Sequence, residues 1–440
     1  MVLYPHFDIN GQGHLTVGGL DTVQLAAEFG TPVNILDENY IRSQMRLYKA
    51  CAAQYFGADA LPLFASKALC CAEIYRIAAD EGMGIDCVSP GELYIAGRVG
   101  FPAQRIYFHG NNKTDADLAM ALDMGVGTFV VDNHEELSSL GELANARGMR
   151  ARILLRITPG IDPHTHKAIS TGGIDSKFGS AIGTGQAEQI VVSALNTPGI
   201  DLQGLHCHIG SQIFDAQPFV DAAEIMVAFM ADMIRKHRAP LTELNLGGGL
   251  GVRYTEEQPT LDIDGTMKTI AAKVRELCRV NEIEMPRVIL EPGRSLVAAA
   301  GVTLYTVGSV KEIPGFKNYV SVDGGMADNP RYALYQSPYT ALIANKADRP
   351  ADFCATVAGR CCESGDLLGE GMLLQRPERG DLLAMLVTGA YQHSMASNYN
   401  KLPRPPLVMI KDGEARVVVR RETYEDLMAY DVTDPVFSTR

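Results

Sequence analysis

Eight short runs of apolar, β-forming residues recur between residues 33 and 301, and each is followed by a stretch with helical character. Strands that alternate with helices over roughly 250 residues are typical of a (β/α)8 barrel with a parallel sheet. The sequence therefore predicts an α/β barrel of the TIM type. The predicted barrel strands are residues 64–67, 84–88, 106–108, 128–131, 153–157, 205–209, 244–246 and 288–290.

The residue pattern changes after residue 301, and the new pattern predicts a second, mainly β domain. β-branched runs separated by Gly and Pro replace the helical stretches there. We expect the strand at residues 15–17 to join this domain. The expected domains are an N-terminal segment at 1–32 that packs with the β domain, a barrel at 33–300 and a C-terminal β domain at 301–440 that carries Cys362 and Tyr391.

Polar and reactive side chains follow each predicted barrel strand. Active sites of TIM barrels lie at the C-terminal ends of the strands, so this pattern predicts an active site there. The alternative is that polar residues simply begin where strands end, which would explain part of the set. The side chains at these ends are Lys67, Asp86, Ser89, His109, Asn111, Asn112, Asp132, Asn133, Arg156, His208, Ser211, Glu291 and Arg294.

The composition restricts the partners and the compartment of the chain. Its 440 residues carry a formal net charge of −13, which argues against nucleic acid or an anionic membrane surface as a partner. No run approaches the roughly 18 apolar residues of a membrane span, and the first residues lack an apolar signal segment. Nine cysteines, an odd number, indicate reduced thiols rather than a disulfide framework. We expect a cytoplasmic protein with a small-molecule substrate.

Lys67 follows the apolar run Leu-Pro-Leu-Phe-Ala-Ser. A lysine amine at the C-terminal end of a barrel strand can form a Schiff base with a carbonyl cofactor. The alternative is a lysine that only extends from the strand end into solvent.

Three consecutive glycines, Gly247, Gly248 and Gly249, follow the seventh predicted strand, and Gly293 with Arg294 follows the eighth. Glycines let backbone N–H groups approach a phosphate closely, and barrel phosphate sites commonly use the loops after strands seven and eight. A tight turn with positive φ is the structural alternative. The pattern favours a ligand that carries phosphate.

The sequence His206-Cys207-His208 permits two functional interpretations. Both imidazoles would share one face of a strand, which is a pattern of metal ligands and makes a metallohydrolase a rival. No second His pair lies at another strand end, so we expect no metal. An imidazole could instead stack on an aromatic cofactor ring, with Ser211 donating to its phosphate.

Cys362 and Glu363 lie in a polar turn of the predicted β domain. A free cysteine is most often a small buried hydrophobe, but beside a carboxylate it is also a plausible proton donor. Tyr391 also has two interpretations, because it could be either a tyrosine of the core or a hydrogen-bond donor to a phosphate.

Taken together, these segments resemble the fold-type III, pyridoxal-phosphate-dependent decarboxylases over nearly the whole chain. Further motifs support the resemblance, among them Phe-His-Gly-Asn-Asn-Lys at 108–113, Ile-Ser-Thr-Gly at 169–172 and Asp-Gly-Gly-Met at 323–326. The resemblance implies pyridoxal 5'-phosphate as cofactor and decarboxylation of meso-2,6-diaminopimelate to L-lysine as the reaction. It also implies a homodimer whose active sites lie at the interface.

The resemblance assigns roles to individual residues. It implies that Lys67 bonds the cofactor aldehyde, that His208 stacks on the pyridine ring and that Glu291 pairs with the pyridine nitrogen. Cys362 would reprotonate the substrate carbon after CO2 departs. The phosphate would be held by Ser211, Gly247, Gly248, Gly249, Gly293, Arg294 and Tyr391. The substrate would be bound by Arg294, Arg331, Tyr335, Glu363 and Tyr391.

Two departures from the family pattern lie near the expected substrate residues. Tyr332 and Arg360 stand where the family usually has proline. Related decarboxylases of carboxynorspermidine, a D-configured diamino acid or ornithine are therefore alternatives, although Arg331 suits a second substrate carboxylate. A non-catalytic, regulatory relative would be expected to lack Lys67 or Cys362, and both are present. The polar stretch at 164–180 is a candidate lid.

Overall fold

The computed structural model describes residues 4–161, 173 and 176–432. Most of the candidate lid at 164–180 lies outside these residues, as does the motif at 169–172. The chain divides into two compact units, which are residues 40–299, called here the barrel unit, and residues 1–39 with 300–440, called the β unit.

The elements are numbered in chain order. The strands are β1 (Phe7–Ile9), β2 (Leu15–Val17), β3 (Leu20–Asp21), β4 (Val33–Asp37), β5 (Leu61–Ala65), β6 (Gly84–Cys87), β7 (Ile106–Phe108), β8 (Thr128–Val131), β9 (Ala151–Thr158), β10 (Ser180–Ala181), β11 (Ile200–His206), β12 (Glu243–Asn245), β13 (Arg287–Leu290), β14 (Gly301–Ile313), β15 (Lys317–Val322), β16 (Ala341–Ile343), β17 (Phe353–Ala358), β18 (Leu367–Leu374), β19 (Leu382–Leu386), β20 (Leu407–Lys411) and β21 (Glu414–Val419). The α-helices are α1 (Thr22–Phe29), α2 (Glu38–Phe56), α3 (Ala72–Asp80), α4 (Pro90–Arg98), α5 (Asp115–Asp123), α6 (His134–Ala146), α7 (Gln186–Asn196), α8 (Gln217–His237), α9 (Ile263–Val280), α10 (Arg294–Val297), α11 (Arg331–Tyr335) and α12 (Tyr424–Met428).

Eight parallel strands close into a ring in the barrel unit. They are β5, β6, β7, β8, β9, β11, β12 and β13, and β13 pairs with β5 to complete the circle. The predicted (β/α)8 barrel is therefore confirmed. An α-helix lies between each barrel strand and the next one along the chain. Capping residues explain where several helices begin: the side chains of Ser89, Thr114 and Asn133 each accept a backbone N–H from the first turn.

The interior of the barrel contains an apolar layer. Leu63, Tyr107, Val130, Leu154 and Ile289 come from five different strands and pack against one another, each at most 2% exposed. Successive side chains of a strand point to opposite faces, so residues two positions away from these also face the interior. On β9 this places Arg152 below Leu154, and Arg156 above it.

Two strand ends differ from the prediction in a way that affects the site. The first barrel strand ends at Ala65, and Lys67 lies in a 3-10 turn, Ser66–Ala68, immediately after it. The sixth strand begins at Ile200 and ends at His206, so His208 lies in the loop that follows. In both cases the reactive side chain projects from the turn above the strand rather than from the strand itself.

The β unit is built on one large sheet with the order β18-β17-β15-β14-β4-β20-β21, and β19 pairs with both β14 and β16. The predicted mainly β domain is confirmed. The strand that reaches it from the N-terminal segment is β4, which pairs antiparallel with β14 and parallel with β20. All five residues of β4 are buried.

The N-terminal segment belongs to the β unit, as expected for the strand at 15–17. Residues 15–17 do form a strand, but this strand, β2, belongs to a separate three-stranded sheet with β1 and β3. The stretch from Val33 to Asp37 was placed in the barrel by the sequence, and the structure places it in the β unit instead. β4 is a fully buried strand with a partner on each edge, and its partners β14 and β20 both belong to the β unit.

Among the described residues, the helices are all too short or too polar to cross a membrane.

Candidate active site

A buried carboxylate lies at the centre of the C-terminal end of the barrel. Glu291 follows β13 and is 6% exposed. His206 Nε2, at the end of β11, lies 3.2 Å from Glu291 Oε2, and His109 Nε2, after β7, lies 2.9 Å from Oε1. Asn245 Nδ2, at the end of β12, donates to Oε1 at 2.7 Å. Side chains from three other strands therefore fix both oxygens of Glu291.

The surroundings of Glu291 keep it ionised. Burial lowers the pKa of His206 to about 4, so this imidazole is neutral at pH 7 and donates its Nε2–H to the carboxylate. Burial acts to raise the pKa of Glu291, but His109 and His206 overcome that effect and hold the pKa well below its usual range. Glu291 is thus an acceptor in a buried site, which is the arrangement that can keep a proton on a ligand nitrogen.

Lys67 lies at the rim of the same end of the barrel. Its Nζ lies 3.4 Å from Asp86 Oδ2, and the side chains of Lys67 and Asp86 are 43% and 0% exposed. The buried carboxylate lies close to the amine and orients it, while the lysine side chain remains partly exposed. The amine can therefore react with a carbonyl compound that enters from solvent.

His208 lies beside the glycine loop. Its Nδ1 accepts the backbone N–H of Gly248 at 3.3 Å. Burial, followed by the positive charges of Lys67 and Arg156, lowers the pKa of His208 well below its usual value. A neutral, oriented imidazole presents a flat face, which suits stacking on an aromatic ring.

The glycine loop has no space for side chains. A Cβ on Gly247 would lie 2.6 Å from the Cys207 carbonyl oxygen, and one on Gly248 would lie 2.1 Å from the carbonyl oxygen of Glu291. Gly247 also has a positive φ of 70°, and its N–H donates to Asn245 Oδ1 at 2.9 Å. The loop is therefore a bare backbone cradle of the type that binds phosphate.

A cation and a hydroxyl lie together after β13 and β11. Arg294 is 7% exposed, and its Nη2 donates to Ser211 Oγ at 3.1 Å while its Nη1 donates to the Tyr254 hydroxyl at 2.9 Å. Gly293, just before it, packs against the first barrel strand, since a Cβ there would lie 2.9 Å from Ala65 Cβ. Ser211 and Arg294 form a donor pair for an anionic group.

A second cluster of expected site residues lies in the β unit. Arg331 is 6% exposed and donates to Ser337 Oγ at 3.0 Å. Its guanidinium carbon lies 6.0 Å from the ring centroid of Tyr335 and 5.5 Å from that of Tyr391. Tyr391 adopts a left-handed backbone conformation with φ of 59°, which costs energy for a non-glycine residue and often marks a functional position.

The turn that carries Cys362 and Glu363 is exposed, and hydrogen bonds from backbone N–H groups to side-chain oxygens fix its conformation. Cys362 N donates to Asn400 Oδ1 at 2.7 Å. Asp366, which is 2% exposed, accepts the N–H groups of Cys361 at 2.7 Å and Met326 at 2.6 Å. No local pattern singles out Asp366 in the sequence, because an Asp in a turn normally has no long-range partner.

The structure assembles the expected residues in two groups. Those of the barrel unit lie together at the C-terminal ends of its strands, and they are Lys67, His208, Ser211, Gly247, Gly248, Gly249, Glu291, Gly293 and Arg294. Those of the β unit are Arg331, Tyr335, Cys362, Glu363 and Tyr391. Sequence reasoning gave no role to His109, His206 or Asn245 around Glu291. His109 and Asn245 carried only the signal of their positions at strand ends, and His206 carried that of the His-x-His pair.

The two histidines of the His-x-His pair lie in different surroundings, which bears on their interpretation as metal ligands. The ligand atoms of His109, His206 and Glu291 all lie within 4.8 Å of one another. His208 points instead to the glycine loop, so among the described residues the two histidines of the motif do not converge on one point. The glycine cradle and the Ser211–Arg294 pair have no role in a metal site, whereas all of these features fit a cofactor that has a phosphate and a ring nitrogen.

Comparison with known proteins yields consistent matches. The family model described as "Pyridoxal-dependent decarboxylase, pyridoxal binding domain" matches residues 38–298. Diaminopimelate decarboxylase from Halalkalibacterium halodurans is 46% identical over 424 residues, which cover 96% of each chain. The enzyme of that name from Bacillus subtilis is 46% identical over 423 residues, again 96% of each. A crystal structure of diaminopimelate decarboxylase from M. jannaschii with L-lysine has a TM-score of 0.89 and 34% identity, and the match covers 99% of each chain.

Proposed function

The chain belongs to the family of pyridoxal-dependent decarboxylases, and from this we propose that it converts meso-2,6-diaminopimelate to L-lysine and CO2. The observation that carries the proposal is Glu291, a buried carboxylate kept ionised by His206, His109 and Asn245 at the end of the barrel where Lys67 lies. The relatives named diaminopimelate decarboxylase, which match almost the full length of the chain, support the choice of substrate.

The residues at the barrel end fit pyridoxal 5'-phosphate. Lys67 offers an accessible amine for the aldehyde, and His208 offers a neutral ring beside the cradle. The phosphate would be held by Ser211, Gly247, Gly248, Gly249, Gly293, Arg294 and Tyr391. When bound, the cofactor accepts the electron pair that CO2 leaves on the substrate carbon.

Glu291 would keep the ring nitrogen protonated. Its two oxygens already accept hydrogen bonds from His206 and Asn245, so the carboxylate cannot rotate away from the position that these donors fix. Its pKa lies well below the usual range, so it stays an anion at neutral pH and stabilises a proton on a neighbouring nitrogen. This electrostatic role is the main contribution that the barrel makes to the chemistry.

The residues of the β unit would bind the substrate and supply a proton. Arg331 and Arg294 suit carboxylates, and Glu363 suits an ammonium group. Tyr335 and Tyr391 flank the Arg331 guanidinium. Two charged ends suit a substrate with a carboxylate and an amine at each end.

Cys362 would donate the proton that replaces CO2 on the substrate carbon. A thiol is a suitable general acid, and this one is exposed at the surface of the β unit. An exposed proton donor can act in a neighbouring subunit, and we therefore include a homodimer with shared active sites in the proposal. A monomeric variant would then be inactive.

The two departures from the family pattern make contacts of their own. The Tyr332 hydroxyl donates to Glu370 on β18 at 2.9 Å, and the backbone N–H of Arg360 donates to the Gly324 carbonyl oxygen at 2.9 Å. Proline has no N–H, so Arg360 gains a hydrogen bond that the usual residue would lack. Neither contact involves Arg331 or Glu363, which supports the same substrate.

The decisive test is product formation. The purified protein, loaded with pyridoxal phosphate, is mixed with meso-diaminopimelate, and the products are followed by mass spectrometry. We expect lysine from the wild-type protein and none from Lys67→Ala, which removes the reactive amine. L-Ornithine, with one carboxylate, should be a poor substrate in parallel assays. Failure to form lysine while ornithine yields putrescine would refute the substrate but keep the cofactor chemistry.

A further inference from the structure

A cavity of about 510 Å³ lies at the opposite, N-terminal face of the barrel. This volume is in the range of small-molecule sites, roughly 300–1,000 Å³. The lining residues come from the starts of the strands, among them Leu61 on β5, Arg152 on β9, Glu243 on β12 and Arg287 on β13. The active-site groups lie at the other ends of these strands, so the cavity is not part of that site.

Two arginines in the cavity are held by one buried carboxylate. Arg152 Nη2 and Arg287 Nη1 both donate to Glu243 Oε1, the latter at 3.0 Å. The Glu243 side chain is 3% exposed, whereas those of Arg152 and Arg287 are 38% and 32% exposed. Arg287 Nε also donates to the Asp59 carbonyl oxygen at 2.8 Å. A guanidinium has five N–H donors, so other donors remain on both arginines. Two fixed cations therefore face the cavity with donors to spare.

Two further cations stand at the same face. Lys49 lines the cavity, and its Nζ donates to the Glu81 carbonyl oxygen at 2.6 Å. Arg105 lies close by, since a Cβ built on Gly82 would lie 2.6 Å from Lys49 Nζ and 3.9 Å from Arg105 Nη1. Among the residues that the structure describes, neither Lys49 nor Arg105 makes an ion pair with a carboxylate.

The charges around the cavity do not balance. Lys49, Arg105, Arg152 and Arg287 are positive, whereas Glu243 and the nearby Asp59 are the negative groups that face them. The chain as a whole carries a net charge of −13, so a positive concave surface runs against its overall charge. The cationic side chains outnumber the carboxylates, and a concave wall with an excess of one sign concentrates ions of the opposite sign.

We propose that this cavity is a binding site for a small multivalent anion, one that carries phosphate groups or several carboxylates. Arg152 and Arg287 line the cavity, where planar guanidinium groups suit bidentate contacts, and Lys49 lines it beside Gly82, next to Arg105. A buried carboxylate between two arginines is also found as a structural triad, so the contact with Glu243 does not by itself indicate a ligand. The volume of the cavity and the third cation on its wall, Lys49, are what indicate one.

The test uses the pyridoxal-phosphate-loaded enzyme, freed of excess cofactor, at about 0.15 M salt so that non-specific charge effects are screened. Occupation of the Ser211–Arg294 site by the cofactor keeps other phosphates out of it, and an unchanged visible spectrum verifies this. Pyrophosphate and citrate serve as probes in calorimetric titrations, together with the shift of the thermal unfolding midpoint. We expect saturable binding of at least one probe, at one site per chain. The probe that binds more tightly identifies phosphate or carboxylate chemistry.

Variants locate the binding. Arg105→Gln and Lys49→Met lie outside the Glu243 network and should each weaken binding about tenfold or more, the value of one charge-assisted hydrogen bond. Their matched controls are Arg379→Gln and Lys311→Met, which remove the same charges from exposed positions in the β unit and should leave binding unchanged. Absence of saturable binding for both probes would overturn the proposal, and so would equal weakening by the controls.

Discussion

Asn245 links Glu291 to the glycine loop: its Nδ2 donates to Glu291 Oε1 at 2.7 Å, and its Oδ1 accepts the N–H of Gly247 at 2.9 Å. One fully buried amide thus fixes both the carboxylate expected at the pyridine nitrogen and the backbone expected at the phosphate. The two ends of the cofactor site are therefore positioned by a single side chain.

The charge of Glu291 should matter more than its volume. In Glu291→Gln the side chain keeps its size but loses the anion, so a proton on the ring nitrogen is no longer stabilised. We expect kcat to fall roughly 100-fold, since a charged hydrogen bond contributes about 1.5–3 kcal/mol. Steady-state kinetics measure this, and the visible spectrum should still report bound cofactor. Unchanged kcat would contradict the role given to Glu291.

Removal of the Cys362 thiol should slow turnover without loss of cofactor. Loss of a general acid typically costs 10²–10⁴-fold, so Cys362→Ala should retain the cofactor spectrum while kcat falls by about that factor. Cys354→Ala is the matched control, because this cysteine is also exposed in the β unit and has no proposed role. Equal activity of Cys362→Ala and Cys354→Ala would remove Cys362 from the mechanism.

We expect Asp366 to affect turnover only by positioning the turn that carries Cys362. Asp366→Asn keeps the shape but cannot accept both N–H donors equally well, and a poorly satisfied buried donor costs about 1–3 kcal/mol. We expect slower turnover with unchanged cofactor affinity. In a double-mutant cycle, Asp366→Asn should slow the Cys362→Ala variant far less than it slows the wild type. Additive effects on kcat would show instead that Asp366 supports the whole unit.

Acid should destabilise the barrel through His206. Its pKa is about 4 in the folded state and about 6.5 in a model peptide, so the unfolded chain binds the proton first as pH falls. The neutral His206 makes its full contribution to the free energy of unfolding above pH 6.5. This contribution is lost as the pH falls from 6.5 to 4. It amounts to about 2 kcal/mol between pH 6.5 and 5. Urea unfolding followed by circular dichroism measures it.

A glutamine at position 206 separates this effect from other titrations. His206→Gln can still donate to Glu291 but does not titrate, so its free energy of unfolding should fall less between pH 6.5 and 5 than that of the wild type. His134→Gln, at an exposed histidine, should behave as the wild type. A His206→Gln variant with the full wild-type pH dependence would refute this assignment.

Local patterns made the barrel predictable. Each barrel strand contains a short apolar run with a polar residue or a glycine within two positions of its end, and β7 and β8 have the predicted bounds. Lys67, Glu291 and the glycines could be assigned because barrel strands bring their C-terminal ends together whatever the sequence separation.

The residues that contact Glu291, and the unit to which β4 belongs, could not be predicted from the sequence. His109 and Asn245 lie at strand ends like many other polar residues, and nothing local distinguishes a residue that contacts Glu291 from one that faces solvent. β4 pairs with β14 and β20, which lie hundreds of residues away in sequence, and a buried strand looks the same in a barrel as in a sandwich.

The alternation along β13 ties the two ends of the barrel to one register. Arg287, Ile289 and Glu291 occupy every second position, so the same face carries the cavity cation, the apolar layer and the carboxylate. A shift of the whole strand by one residue in register would turn all three outward together. The spacing between the lower cavity and the upper site is thus set by the length of one short strand.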